Sequence, residues 1–405
     1  MRELFFFAIV LAIVAGIHVY LGRRLFGRRS GLWRWRRLGW SALGASAALM
    51  LLAFVGGRWI PRSGGFLVVQ FAGFAAMGLV LVLLPLTLVR DLLLGAARAL
   101  DALRPRTRRE PSSEGASRRE FLRGVSSLGV LGSSSLLSLA GVVQARALPG
   151  VRRVAIPLER LPAELEGFRI VQITDLHLGP ILGREWLEAV VAAVNALEPD
   201  LVAVTGDLAD GHVADLREVV APLADLVAPH GVFFVTGNHE YYWNAEAWVA
   251  EVRRLGLTVL LNEQRLLALG AARLLVAGVT DVSAHSILPA HATDPARALA
   301  GAPEAHVRVL LAHQPRSVLA ARKLGVDLQL SGHTHGGQFF PWNLVIGFFH
   351  PLAAGLGRFD RTWLYVSRGT GMWGPPLRTG VPAEISEIVL VAETSGNGRG
   401  SAEAR

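Results

Sequence analysis

The chain reads as an α/β unit preceded by an α-helical transmembrane region, and three observations carry that reading. Long apolar runs fill its first third, and the 52% hydrophobic content and mean hydropathy of +0.40 exceed what a soluble enzyme needs. After Leu148, short β-rich runs alternate with helical patterns, as in βαβ units. Five of those runs empty into loops bearing Asp, Asn or His, and ligands in open α/β sheets collect at the carboxyl ends of strands.

A membrane region is expected over residues 1–147, with spans at about 4–22, 38–57, 66–89 and 124–144. The first span is followed by Arg23, Arg24, Arg28, Arg29, Arg34, Arg36 and Arg37, with Trp33 and Trp35 between them. Interfacial tryptophans beside a basic cytoplasmic loop explain that cluster. In the second span, Ser41, Gly44 and Ser46 suit close helix packing. Between the third and fourth spans the chain is again basic, and Ser117-Arg-Arg-Glu-Phe-Leu-Arg123 resembles a twin-arginine export signal. It is internal rather than N-terminal, and Ala145-Arg-Ala147 after the fourth run could mark a cleavage point. Arginine-rich loops stay cytoplasmic, so the expected location is a bacterial inner (cytoplasmic) membrane, with the domain after the fourth span on the outer or periplasmic side.

A single globular domain is expected over 148–393, followed by a small, polar and disordered tail at 394–405. Helical patterns cover Glu185–Leu197, Val213–Leu226, Ala245–Leu255 and Pro315–Leu324. Strand-like runs at Phe168–Thr174, Leu201–Thr205, Gly231–Thr236, Val307–Ala312 and Val326–Leu330 lead into the polar loops. Those loops hold Asp175-Leu-His177, Gly206-Asp207-Leu-Ala-Asp210, Gly237-Asn238-His239-Glu240, His313-Gln-Pro315 and Gly332-His333-Thr-His335. A capping Asp or a core histidine explains any one of them; all five together argue for one shared metal site. Neutral imidazole with carboxylate and amide oxygen suits zinc, iron or manganese.

In this order and spacing the blocks resemble the calcineurin-like metallophosphoesterases, whose signature runs Asp-x-His, Gly-Asp, Gly-Asn-His-Glu, His, Gly-His-x-His. The resemblance covers roughly 150–392. It implies a four-layer α/β/β/α sandwich of two packed sheets flanked by helices, and two divalent metal ions (Mn, Zn or Fe). Asp175, His177, Asp207 and His335 match the ligands of the first metal. Asp207, Asn238, His313 and His333 match those of the second, with Asp207 bridging. His239 matches the proton donor to the leaving group, and Asp210 the carboxylate that orients it. A pair of cations about 3.5–4 Å apart activates water and clamps a phosphoryl group, so the expected reaction is hydrolysis of a phosphodiester or pyrophosphate, a phospholipid or lipid-linked one among them.

With no cysteine, thiolate sites and disulfides are excluded, and no Walker-type glycine loop is present. The net charge of +9 divides unevenly: residues 1–150 hold 20 basic and 6 acidic side chains, residues 151–405 hold 21 and 26. A nucleic-acid enzyme would carry a basic face, so a nucleic-acid partner is not expected. Arg378 is the late basic residue singled out, read either as a phosphate clamp or as a partner in a surface salt bridge. Phe339–Phe349 reads either as a buried strand or as an apolar loop that meets a bilayer or acyl chain. The competing reading is a non-catalytic metal-binding scaffold or sensor; relatives that take that route lose ligands, and here all seven ligand positions and His239 are present.

Overall fold

The computed structural model describes residues 2–28, 30–56, 64–103, 113–179 and 181–393. It resolves into two compact units, Met1–Gln144 with Gly374–Thr379, and Ala145–Trp373 with Gly380–Arg405.

The first unit is built from α1 (Arg2–Phe26), α2 (Arg36–Gly56), α3 (Gly64–Leu103) and α4 (Ser113–Arg146). All four contain segments long and apolar enough to cross a membrane. They pack through Leu21, Leu25, Leu43, Val80 and Leu83, with Val130 and Leu131 of α4 against them. Closest approach occurs at glycines. A Cβ on Gly73 would lie 2.4 Å from the Leu49 carbonyl, and one on Gly22 would lie 2.7 Å from the Trp40 ring. Of the small residues expected to mediate packing, Ser46 meets His18 Nε2 at 3.3 Å, whereas Gly44 has open space around it.

Two boundaries differ from expectation. Helix α3 does not stop near Val89 but runs on to Leu103, because Arg90–Leu103 consists mostly of Leu, Ala and Arg, all strong helix formers. Its 40 residues span roughly 60 Å, about twice a hydrocarbon core. Helix α4 begins at Ser113 and so takes the 117–123 stretch into a helix rather than a linker. The side chains of Ser117, Arg118 and Arg119 lie outside the described residues, as does the 394–405 tail.

The second unit holds two six-stranded sheets. The first contains β1 (Gly150–Leu158), β2 (Arg169–Ile173), β3 (Leu201–Val204), β4 (Val232–Phe234), β5 (Thr258–Val259) and β12 (Glu384–Ala392), in the order β1-β12-β2-β3-β4-β5. Strands β2 to β5 run parallel, and β12 is antiparallel to β2. The second contains β6 (Glu263–Leu269), β7 (Ala272–Gly278), β8 (Val307–Leu311), β9 (Leu328–Ser331), β10 (Gly355–Phe359) and β11 (Thr362–Val366), in the order β10-β11-β9-β8-β7-β6. Its inner strands β7, β8, β9 and β11 are parallel and its edges antiparallel.

The pleat explains why these runs are apolar throughout. Successive side chains point to opposite faces, and both faces here are covered. In β2 and β3, Ile170, Leu201 and Ala203 pack against the other sheet's Leu274, Val276, Val309 and Leu328. Their neighbours Val171, Ile173, Val202 and Val204 face α5 (Arg184–Asn195), α6 (Val213–Val220) and α8 (Ala245–Arg254). The outer face of the second sheet buries Ala277, Val279 and Leu310 against Ala298 of α9 (Pro295–Leu299) and Ala321 of α10 (Val318–Ala321). The result is the four-layer α/β/β/α sandwich. A sixth helix, the short α7 (Asn238–Tyr242), follows β4 directly.

Phe339–Phe349 is not a strand. It forms two 3-10 turns, Trp342–Leu344 and Ile346–Phe348, because Pro341 and Gly347 interrupt any ladder.

Candidate metal centre

Parallel strands from both sheets end on one edge, and that edge collects the chemistry. Asp175 and His177 follow β2, Asp207 and Asp210 follow β3, Asn238 and His239 open α7 after β4, His313 follows β8, and His333 and His335 follow β9. Their side chains fall into three groups, Asp175–His177–His335, Asp207–His313–His333 and His177–Asp210–His239, each with its ligand atoms within 4.8 Å of one another.

The hydrogen bonds set which atoms face inward. Nδ1 of His313 lies 2.8 Å from the Thr205 carbonyl; a carbonyl only accepts, so Nδ1 carries the proton and Nε2 presents its lone pair. That Nε2 sits 3.1 Å from Asp207 Oδ2 and 3.2 Å from Nδ1 of His333. Nδ1 of His177 faces Asp210 Oδ1 at 3.3 Å, leaving its Nε2 turned toward Nε2 of His335 at 3.1 Å and Asp207 Oδ2 at 3.7 Å. His335 Nε2 lies 3.4 Å from Asp175 Oδ1. Asp207 is held from behind, with its Oδ1 accepting the His239 N–H at 2.8 Å, so Oδ2 is free to face both histidine groups.

This set fits cations. Oδ1 of Asn238 is buried and has no hydrogen-bond partner, an arrangement that ordinarily costs about 1–3 kcal/mol and that a metal would relieve. Nitrogen and oxygen donors without thiolate suit zinc, iron or manganese. Asp175, His177, Asp207 and His335 would hold one ion, and Asp207, Asn238, His313 and His333 the other.

Electrostatics follow from the same geometry. Burial pushes the Asp175 carboxyl up. For His333, burial and the neighbouring His313 hold the imidazole down at about 3. Burial opposes protonation of His239, but Asp207 and Asp210 outweigh it and raise the imidazole to about 9. The Asp210 carboxyl, which burial alone would raise, is pulled below its ordinary value by His177 and His239. Its Oδ1 accepts a hydrogen bond from His239 Nδ1–H at 2.5 Å, leaving Nε2 aimed toward Asp207 Oδ2, 4.0 Å away.

The backbone is strained where the candidate ligands sit. Eleven non-glycine residues have positive φ among the described residues, and Asp175, His177, Asp207, His333 and His335 are five of them, at 45° to 71°. Such residues cluster at functional sites. Glycines permit the close packing around them: a Cβ on Gly332 would lie 2.1 Å from Asp175 Oδ2, and one on Gly237 2.2 Å from Asp207 Oδ1.

Several contributors escape sequence reading. Glu240 is buried, and its two oxygens accept from Gly237 N (2.6 Å), Leu208 N (2.7 Å) and Asp207 N (3.1 Å), tying the loops after β3 and β4 together. Its place as the third helical residue after Gly237 is a capping-box spacing, a signal available in the sequence. Thr174 donates to Asp175 Oδ2 at 2.8 Å. Gln338 brackets the Trp373 backbone, donating to its carbonyl and accepting its N–H, each at 2.8 Å. This sets the Trp373 ring 5.9 Å from that of His239, while Tyr242 lies on another side at 5.1 Å. No local pattern announces that clamp. Arg378, read as a phosphate clamp, belongs to Gly374–Thr379 in the helical unit, where it is buried and its backbone N–H donates to Gly141.

Fold and site together define a metal-dependent phosphoester hydrolase class. A family model described as calcineurin-like phosphoesterase matches residues 168–337, and the chain belongs to that family. It is 33% identical over 385 residues to a zebrafish (Danio rerio) transmembrane protein with metallophosphoesterase domain, covering 89% of this chain and 86% of the relative. To the bovine (Bos taurus) protein of the same description it is 41% identical over 271 residues, 64% of this chain and 61% of the relative. The metallophosphoesterase YkuE of Bacillus subtilis is 30% identical over 291 residues, 68% of this chain and 97% of the relative. Among solved structures, the sulfate thiohydrolase SoxB of Thermus thermophilus matches with a TM-score of 0.37 and 18% identity, over 57% of each chain.

Gly332→Ala should drive its methyl into the Asp175 carboxylate and lower bound metal by about one equivalent per chain. Elemental analysis of the purified protein, with circular dichroism confirming retained fold, checks this.

Proposed function

We propose that this chain is a membrane-anchored binuclear metallophosphoesterase that hydrolyses an amphipathic phosphodiester or pyrophosphate. The observation that carries this is the shared Asp207 carboxylate, whose Oδ2 faces His177 of one ligand group at 3.7 Å and His313 of the other at 3.1 Å. Divalent cations held there supply Lewis acidity toward phosphoryl oxygens and lower the pKa of water at neutral pH.

The chain's own residues do the rest. His239 keeps a proton on Nδ1 through Asp210, which leaves Nε2–H as the donor for the departing oxygen. Asp210 acts through His239 and His177 and is a positioning residue. Trp373 and Tyr242, each about half exposed, flank His239 and suit a leaving group with apolar or planar character. The same edge continues into an exposed apolar loop: Phe348 is 86% exposed, Leu344 64% and Phe349 59%, with the Trp342 and Phe349 rings stacked at 6.3 Å. Singly exposed apolar residues are ordinary, but a cluster next to a catalytic site marks an interaction surface. On a chain carrying four membrane-length helices, an acyl chain or the bilayer surface is the fitting occupant. Counting arginines favours a catalytic unit on the side away from the cytoplasm, and the stretch 117–123 fits twin-arginine export to that side.

Full-length protein stripped of metal and reloaded with Mn or Zn should hydrolyse bis-p-nitrophenyl phosphate, and Asp207→Ala should abolish turnover at least about 1,000-fold. Metal-loaded, folded protein without turnover on soluble or lipid esters would favour a scaffold. Asp210→Asn removes the anion that stabilises the His239 imidazolium, so its pKa should fall. Activity that needs the protonated form is lost as pH rises through that pKa, so the alkaline limb of kcat/KM should move to lower pH. Replacing Phe348 and Phe349 by Ser should weaken hydrolysis of a phospholipid-like ester about tenfold and spare the soluble diester; equal loss on both would sink the lipid assignment.

A further inference from the structure

The helical unit holds a second chemical feature that phosphoester hydrolysis does not use. Where the basic ends of three helices meet, a cavity of about 360 Å³ is lined by Arg23, Arg24, Arg90, Arg98 and Arg123, with Ser30 and Leu94. Arg23 and Arg24 close α1, Arg90 and Arg98 lie on the continuation of α3 beyond its apolar stretch, and Arg123 lies early in α4. Five arginines line this space, and no carboxylate does so among the described residues.

The cavity is built rather than incidental. Asp91 gathers the groups behind it, accepting from the Tyr20 hydroxyl at 2.7 Å, from Arg24 Nε and from Arg90 Nη2 at 3.1 Å. The Arg90 side chain is nine-tenths buried. It also donates to Ser127 Oγ at 2.9 Å and to the Arg24 carbonyl at 3.1 Å. Its Nε is buried with no partner, and a buried donor left unmade on a charged group is costly.

We propose that this cavity binds a phosphate group. Guanidinium forks match phosphate oxygens bidentately, and a phosphate here would meet arginines of α1, α3 and α4 at once. A phosphodiester at headgroup level, where basic pockets between membrane helices take anionic lipids, and free inorganic phosphate offer the same chemistry. Occupancy would tie α4 to α1 and α3 at the end opposite its connection to β1.

The test uses the full chain in nanodiscs of phosphatidylcholine alone, of phosphatidylcholine with phosphatidylglycerol, and of phosphatidylcholine with millimolar inorganic phosphate. Arg98→Gln/Arg123→Gln is compared with the natural chain; Arg90 is left intact because its buried bonds serve folding. Phosphatidylglycerol should raise the melting temperature of the natural chain by about 4 °C or more, and the Gln variant should lose that rise. The Arg98→Lys/Arg123→Lys variant, which keeps the charge, should retain part of it even if the Gln variant folds poorly. A rise with inorganic phosphate in phosphatidylcholine, lost in the Gln variant, supports the site and assigns it to free phosphate. No rise with either anion, or the same rise in the natural chain and the Gln variant, overturns the proposal.

Discussion

The two-sheet unit depends on carboxylates buried without a lysine or arginine to pair them among the described residues. Asp175, Asp207 and Glu240 are each nearly or wholly inaccessible. Their contacts are the Thr174 hydroxyl, backbone N–H groups and imidazoles. Uncompensated buried charge is among the most expensive things a fold can hold. Backbone donors from strained loops offset part of that cost; divalent cations would offset the remainder, which is why fold and metal centre cannot be argued separately.

That constraint explains the architecture around it. Parallel strands of both sheets must end together for the loops after β2, β3, β4, β8 and β9 to converge, and the inter-sheet core of Ile170, Ala203, Val276 and Val309 keeps those ends in register. Glu240 then couples the Asp207 and Asn238 loops, and Gly237 and Gly332 let carboxylates approach backbone to distances a Cβ would forbid. The positive φ angles at five ligands follow from turning each chain sharply enough to aim two donors at one point.

The helical unit solves the opposite problem, an excess of positive charge. Its helices bury apolar surface on one another, but the arginines at their ends converge on one cavity with Asp91 as the carboxylate bonded to them. One unit therefore gathers buried carboxylates, and the other gathers arginines around one cavity. Both arrangements come from polar groups placed at the ends of otherwise apolar elements.

Most of the fold and the ligand set was legible in the sequence. The apolar runs were continuous because both faces of the sheets are covered, and each polar block stood at a strand's carboxyl end, where backbone direction alone determines its destination. The helical patterns from Glu185 and Ala245 likewise matched α5 and α8. The four edge strands β1, β5, β6 and β10 were missed because they are short or partly exposed and their composition is mixed. The strand reading of Phe339–Phe349 failed because apolar content does not distinguish burial in a sheet from exposure on turns. What the sequence by itself determined was therefore which donors exist and in what order. Only the tertiary structure decided which nitrogen of each histidine faces the cluster, that Glu240 binds two loops, that Gln338 sets Trp373 beside His239, and that distant arginines share one cavity. Those outcomes rest on contacts between residues far apart in the chain, and no local propensity encodes them.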